Sequence, residues 1–131
     1  MVITLKEIDE LLRAARNRAE ALKIPVGTTV VDPRGDLLAF IRTDDAPHYT
    51  EPISRGKAMA SAFFGYPSGQ LAEMLGRGMA QGISQVHEGR LLFVQGAVPV
   101  TRDGSVIGAV GVSGGTAEQD EEIAIAGALE I

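Results

Sequence analysis

The sequence predicts an α+β domain in which helices cover an antiparallel sheet. Two turn motifs each separate a pair of β-rich runs, and an amphipathic helical pattern opens the chain. Strands joined by hairpins pair antiparallel, and the helical segments between them must cover the sheet to bury its apolar face. A length of 131 residues suits one domain, residues 1–131, with the predicted order α-β-β-α-α-β-β-β-α.

The first helix has the clearest pattern. Apolar side chains recur at helical spacing, and Thr4 and Glu7 form the Thr-x-x-Glu capping box that is typical of a helix start. Pro25 ends the helical register. The β-branched and turn-forming residues that follow predict a strand over 26–32, a turn over 32–35 and a second strand over 37–42.

The middle of the chain predicts helices, and the last third predicts strands and a final helix. Asp103 and Gly104 lie between two apolar runs, which predicts a type I′ hairpin turn. Thr116 and Gln119 form a second capping box. The predicted elements are helices over 52–64 and 70–77, a long loop over 76–89 with at most one helical turn, strands over 91–95, 98–102 and 105–113, and a helix from the cap at Thr116 through Ala128.

Composition excludes several classes of function. The chain has 12 Lys and Arg against 17 Asp and Glu and no basic stripe, so nucleic acid is not an expected partner. The absence of cysteine excludes disulfides, thiolate zinc sites, iron–sulfur clusters and cysteine nucleophiles. No apolar run approaches the roughly 20 residues of a membrane span, and no signal-peptide pattern is present, which predicts a cytoplasmic protein without a membrane partner.

The best polar cluster follows the second predicted strand. Asp44, His48 and Glu51 share one loop, with Arg42 before it and Lys57 after it. Loops at strand ends often carry function. Asp44, His48 and Glu51 match no established metal-ligand spacing, so no metal site is predicted, and solvated loop charge is the competing interpretation.

The glycine motifs and the second histidine leave alternatives open. The sequence over 113–116, Ser-Gly-Gly-Thr, offers backbone N–H groups to an anion, but the acidic start of the final helix favours a structural cap. Gly108 and Gly111 in the last strand let either a helix or another subunit approach closely. His87, in the predicted loop over 76–89, is equally open to a ligand role and to a solvated one.

The chain resembles the GlcG/HbpS family over nearly its whole length. The stretches that carry the resemblance are VVDPRGDLLAFIRTDDA, KAMASAFFG and GSVIGAVGVSGGTAEQDEEIAIA. The family includes haem-binding members and the C-terminal domain of PduO corrinoid adenosyltransferases. The resemblance implies a profilin-like fold with a five-stranded antiparallel sheet, and a homo-oligomer that is a dimer or larger. Positions that match recurring residues of the family are Asp32, Gly35, Arg42, Asp44, Lys57, Gly111, Gly114, Gly115, Thr116, Gln119 and Asp120.

The leading functional prediction is a protein that binds haem or a related tetrapyrrole. Its candidate ligand-binding residues are Arg42, His48, Lys57 and His87, beside methionines that can also ligate haem iron. One alternative is an enzyme of small-carboxylate catabolism, with Arg42 or Lys57 as the anchor. Its proton-transfer group would be Asp44, His48 or Glu51. The other alternative is an oligomeric scaffold without chemistry, which predicts no pocket.

The mixture of charges at the end of the second strand predicts where a pocket would lie. That strand end carries both signs of charge, whereas the start of the last helix is almost wholly acidic. A ligand pocket is therefore expected at the strand end.

Overall fold

Two hairpins form the sheet, and their turn residues have the backbone conformations that the sequence predicts. The computed structural model describes residues 1–131. Asp103 and Gly104 both have positive φ angles, 51° and 79°, as a type I′ turn requires. In the other hairpin Gly35 has a φ of 87°, and its N–H donates to the carbonyl of Asp32. Both predicted hairpins are confirmed.

The four strands pair antiparallel in the order β2-β1-β4-β3, so β2 and β3 are the edges of the sheet. The predicted α+β class is confirmed. In chain order the elements are α1 (Leu5–Leu22), β1 (Gly27–Val31), β2 (Leu37–Arg42), α2 (Thr50–Phe64), α3 (Ser68–Leu75), α4 (Arg77–Val86), β3 (Ala97–Arg102), β4 (Ser105–Ser113) and α5 (Ala117–Ala128).

The sheet has four strands, so the five-stranded sheet that the resemblance implied is wrong for this chain. The predicted strand over 91–95 forms no strand. Instead, the N–H of Leu92 donates to the carbonyl of Gly56 in α2 at 3.1 Å, and Leu91 is buried in one cluster with Met59 and Leu71. An apolar run predicts burial but not the partner that buries it, and here helices do so.

The predicted loop over 76–89 is also wrong, because most of it is helix α4. Glycine lowers helix propensity by about 1 kcal/mol relative to alanine, so Gly78 and Gly82 obscure the helical pattern. Tertiary contacts compensate: Ile83 packs against the cluster around Leu71, and the hydroxyl of Ser84 donates to the carbonyl of Leu91 at 2.9 Å. The observed order is therefore α-β-β-α-α-α-β-β-α.

The two faces of the sheet are covered differently. Helices α1 and α5 pack on one face, where the largest apolar cluster lies, and α2 packs on the other. A Cβ on Gly111 would run into the backbone of Ser54 and Ala58 in α2, and a Cβ on Gly108 would meet the Ile3 side chain. Of the two alternatives for these glycines, the structure shows close approach of the chain's own segments.

Both predicted capping boxes are present. The Thr4 hydroxyl accepts the N–H of Glu7, whose carboxylate accepts the N–H of Thr4, and Thr116 and Gln119 repeat this exchange at the start of α5. The second carboxylate oxygen of Glu7 also pairs with Arg102 at the end of β3. No helix has both the length and the apolar character needed to cross a membrane.

Candidate functional site

A cleft of about 570 Å³ lies between the second half of α1 and the end of β2, where the sequence predicts a pocket. The chain leaves α1 through Lys23, whose φ of 59° reverses its direction. It then enters β1, in which Gly27 is the register partner of Arg42. The loop after β2 is fixed by Thr43, whose N–H donates to the carbonyl of Val26 at 2.9 Å.

The walls of this cleft combine apolar side chains with both signs of charge. Its apolar side chains include Leu12, Ile24 and Ile41; its basic residues are Arg16, Lys23 and Arg42; and its acidic residues are Glu20, Asp44 and Asp45. The three basic side chains are exposed, and none forms an ion pair within the chain. Unpaired cations beside apolar surface are suited to an anionic ligand with an apolar body.

Two of the predicted site residues, Arg42 and Asp44, line this cleft. His48 lies further along the same loop, is exposed, and has its ring edge-on to that of Tyr49. Glu51 lies in the first turn of α2, where it accepts a hydrogen bond from Arg55 at 3.1 Å. It lines a separate cleft of about 420 Å³.

Lys57 is buried and lies away from the cleft. Its Nζ donates to the carboxylate of Asp120 and to the carbonyl of Val112, both at 3.0 Å. This ion pair joins α2 to the start of α5. Burial raises the pKa of Asp120, while the hydrogen bond from Gly115 and the charge of Lys57 act in the opposite direction.

Asp120 also explains the Ser-Gly-Gly-Thr motif. The N–H of Gly115, one of the groups available to an anion at this helix start, donates to Asp120 Oδ1 at 2.8 Å. The carboxylate of the chain itself therefore occupies the position of a ligand, which agrees with the structural cap favoured by the sequence. Sequence reasoning missed this role of Asp120, because its partner Lys57 is distant in the chain.

His87 ends α4 and is half-buried. Its ring lies edge-on to that of Phe63, with 5.2 Å between the ring centroids. The structure therefore distributes the candidate residues over several places instead of collecting them in one cavity. No group of three His, Cys, Asp or Glu side chains is arranged to hold a metal ion.

Sequence reasoning missed Arg16 and Lys23 as cleft residues. Both belong to a run of basic residues along and just after the polar face of α1, which also includes Arg13 and Arg18. A helical pattern identifies such residues as exposed but does not show which of them face another element. The packing of α1 beside the end of β2 brings Arg16 and Lys23, but not Arg13 and Arg18, into the cleft.

The fold and the cleft define a class of protein: a small α+β domain with an open cleft of mixed charge at one end of its sheet. The family model described as haem degrading protein HbpS-like matches residues 3–129. This chain belongs to the HbpS-like family, which confirms the resemblance seen in the sequence.

Individual relatives agree with this assignment. Protein GlcG of Escherichia coli strain K12 is 34% identical over 122 residues, covering 86% of this chain and 82% of GlcG. Corrinoid adenosyltransferase PduO of Salmonella typhimurium is 30% identical over 125 residues, covering 95% of this chain but 37% of PduO.

Solved structures give the same result. The complex of PduOC with haem matches with a TM-score of 0.90 at 29% identity, covering 100% of this chain and 96% of that chain. The crystal structure of HbpS matches with a TM-score of 0.87 at 31% identity, covering 98% of this chain and 89% of that chain.

Proposed function

We propose that this protein binds haem or a related tetrapyrrole in the cleft between α1 and β2. The observation that carries the proposal is the match of the whole chain to the PduOC–haem complex, with a TM-score of 0.90. The description of the family as haem degrading gives further support. Because the chain covers 37% of PduO, the adenosyltransferase activity named for that longer protein is not part of the proposal.

The cleft has the chemistry that a tetrapyrrole carboxylate needs. The apolar side chains of Leu12, Ile24 and Ile41 offer surface to the macrocycle, and Arg16, Lys23 and Arg42 are unpaired cations available to its propionates. Charge-assisted hydrogen bonds to carboxylates are among the stronger polar contacts in proteins. The residues present therefore fit the acidic side of a haem group.

The side chain that would hold the haem iron is a separate part of the proposal. Haem supplies a redox-active iron, which proteins hold through His, Met, Cys or Tyr side chains. We assign His48 as the first candidate, because its loop continues directly from the cleft residues Asp44 and Asp45. His87 is the second candidate; because it lies outside the cleft, against Phe63, it would hold haem iron only at a different site.

An enzyme of small-carboxylate catabolism is the second candidate function. The observation that favours it is the presence of Arg42 and Asp44 in one cleft, since Arg42 would hold the carboxylate while Asp44 moves a proton. A scaffold without chemistry is less well supported, because it predicts no pocket. A homo-oligomer, as a dimer or larger, and a cytoplasmic location complete the proposed description.

A titration with two porphyrins tests the proposal. Haemin added to the purified protein is expected to shift its Soret band until one haemin per chain is bound, and iron-free protoporphyrin IX is expected to bind more weakly. No Soret shift at near-stoichiometric protein would contradict the haem proposal. His48→Ala should weaken haemin binding without affecting protoporphyrin binding, with His87→Ala as the matched control. The reverse pattern would make His87 the ligand and would place haemin outside the cleft between α1 and β2.

A further inference from the structure

A third cleft lies between helices α3 and α4 and residues 91–94, which follow α4 and precede β3. This space, the α3–α4 cleft, is lined by Ala72 of α3, by four residues of α4 and by residues 91–94. Its volume of about 350 Å³ lies within the range of about 300–1,000 Å³ that is typical of small-molecule sites. It shares no lining residue with the cleft between α1 and β2 and is therefore a separate candidate site.

Small side chains on the two helices leave the α3–α4 cleft open. Ala72 of α3 and Ala80 of α4 line it, and Phe93 supplies a half-buried aromatic side chain. Residues 91–94 are fixed beside α4, because Leu91 is buried and its carbonyl accepts a hydrogen bond from the hydroxyl of Ser84 at 2.9 Å. The cleft is therefore a mainly apolar space that the side chains of this chain do not fill.

Arg77, at the start of α4, is the one charged residue that lines the α3–α4 cleft. Its side chain is exposed and forms no ion pair within the chain. A guanidinium group can bind a carboxylate through two parallel hydrogen bonds. Because no acidic residue lines this cleft, its charge favours an anionic ligand, whereas the cleft between α1 and β2 carries both signs.

Two backbone groups beside the α3–α4 cleft also lack partners. Phe93 and Val94 lie outside the helices and strands, and their N–H groups donate to no carbonyl of the chain. The neighbouring N–H of Leu92, in contrast, donates to the carbonyl of Gly56 at 3.1 Å. Backbone N–H groups are strong donors, so this segment keeps hydrogen-bonding capacity for a ligand or for water.

An adjoining cleft restricts the ligand to a single carboxylate. It shares Phe93 and Val94 with the α3–α4 cleft, but its charged residues are Glu73 and Glu121, and no basic residue lines it. A second carboxylate that extended beyond Phe93 would approach charges of its own sign. The carboxylate of a ligand is therefore expected at Arg77, with an uncharged body pointing away from it.

We propose that the α3–α4 cleft binds a small apolar monocarboxylate, whose carboxylate pairs with Arg77 and whose body lies against Ala72, Ala80 and Phe93. The site goes beyond the proposed haem site and does not depend on it. Its volume of about 350 Å³, against about 570 Å³ for the cleft between α1 and β2, favours a ligand smaller than a tetrapyrrole. No carboxylate, imidazole or thiol side chain lines the cleft, so the proposal is binding without proton transfer.

Benzoate is the probe that tests this site, with benzamide as its uncharged analogue and acetate as a carboxylate without an apolar body. Titration of benzoate into the isotope-labelled, haem-free protein should move the amide resonances of Arg77, Gln81 and Phe93 saturably. Benzamide and acetate should each bind at least about tenfold more weakly. The absence of saturable shifts at these residues would overturn the proposal, as would an affinity for benzamide or acetate equal to that for benzoate.

Two pairs of variants locate the benzoate site. Arg77→Gln should weaken benzoate binding at least about tenfold, while Arg13→Gln, on an exposed arginine that lines neither this cleft nor the cleft between α1 and β2, should not. Ala80→Leu fills the cleft and should abolish saturable binding, while Gln85→Leu, at an exposed position of the same helix, should leave it unchanged.

Unchanged benzoate affinity in Arg77→Gln, or in a folded Ala80→Leu variant, would overturn the proposal. Circular dichroism checks the folding of each variant. Because Arg77 is exposed and unpaired, Arg77→Gln should fold, and its result decides if Ala80→Leu does not.

Discussion

At the scale of single residues, Lys57 shows that a charged side chain near a functional loop in sequence can belong to the core. It reaches across the end of β4 to Asp120, and both side chains are 4% exposed. Removing one partner of a buried ion pair leaves the other charge without compensation, which is costlier than replacing both partners by apolar side chains.

Lys57→Met should therefore lower the free energy of unfolding by about 3–5 kcal/mol at neutral pH, measured by urea denaturation. Arg18→Ala is the control, since it removes an exposed ion pair with Glu122 and should cost less than about 1 kcal/mol. The double variant Lys57→Met/Asp120→Leu should recover only part of the loss, because the N–H of Gly115 also loses its acceptor. If Lys57→Met lowers the free energy of unfolding by no more than Arg18→Ala does, the ion pair of Lys57 and Asp120 does not have the structural role described above.

Glu7 predicts a dependence of stability on pH. The hydrogen bond from the N–H of Thr4, with further help from the Thr4 hydroxyl and Arg102, lowers the pKa of Glu7 despite partial desolvation. A lowered pKa means that the folded protein favours the ionised carboxylate. Its stabilising contribution is present above the usual pKa of a glutamate and is lost as pH falls through the lowered pKa.

The test of this contribution is a comparison of Glu7→Gln with the wild-type protein in urea at several pH values. The wild-type protein should unfold at the higher urea concentration near pH 7, and the difference in midpoints should shrink as pH falls through the range in which glutamate is protonated. A difference that stays constant from neutral to acidic pH would exclude the ionised Glu7 as its source.

At the scale of elements, the contact between α2 and β4 depends on a glycine. Gly111→Ala would force its Cβ against the backbone of Ser54 and Ala58, so α2 would have to move away from the sheet. Overpacking of this kind costs about 1–3 kcal/mol. The control is Gly82→Ala in α4, where no atom lies within 4 Å of the new Cβ, and helix propensity predicts a gain of up to about 1 kcal/mol. In thermal unfolding, Gly111→Ala should therefore lower the melting temperature and Gly82→Ala should raise it.

A loss of stability in both glycine variants, or in neither of them, would contradict this account of the packing. The opposite signs are the informative result, because both substitutions add the same methyl group. The two sites differ in the neighbouring backbone, which is close to the new methyl group only at Gly111, and in the helical location of Gly82.

The elements that could be predicted are those whose formation depends on residues close together in the sequence. The capping box of Thr4 and Glu7, and the Asp103–Gly104 turn, need no distant partner, so a short window of sequence is enough to identify them. Residues 91–95 and helix α4 depend on each other and on α2 for burial, and no local window contains that information. These two segments were therefore assigned wrongly.

At the scale of the whole molecule, the candidate site depends on the packing of α1 beside the end of β2. Arg42 and Asp44 could be identified from the sequence, because Arg42 ends the predicted strand and Asp44 lies just after it. Arg16 and Lys23 join them only because α1 lies beside that strand end in the folded chain. The same packing decides that Lys57 is in the interior and that His87 lies against Phe63.

The cleft carries three basic and three acidic residues, in a protein whose formal net charge is −5. Because neither the protein nor the cleft carries a net positive charge, a tetrapyrrole carboxylate depends on direct contact with Arg16, Lys23 or Arg42. The central claim is that this cleft binds haem, and charge reversal at one of these residues tests it without removing either histidine.

The most direct measurement is an equilibrium titration of haemin into Arg16→Glu, Arg13→Glu and the wild-type protein. Both arginines are exposed on α1, but only Arg16 lines the cleft. We expect Arg16→Glu to weaken haemin binding at least about tenfold, or about 1.4 kcal/mol, while Arg13→Glu binds like the wild-type protein. Equal affinities for all three proteins would contradict the account and would show that haemin binds outside the cleft between α1 and β2.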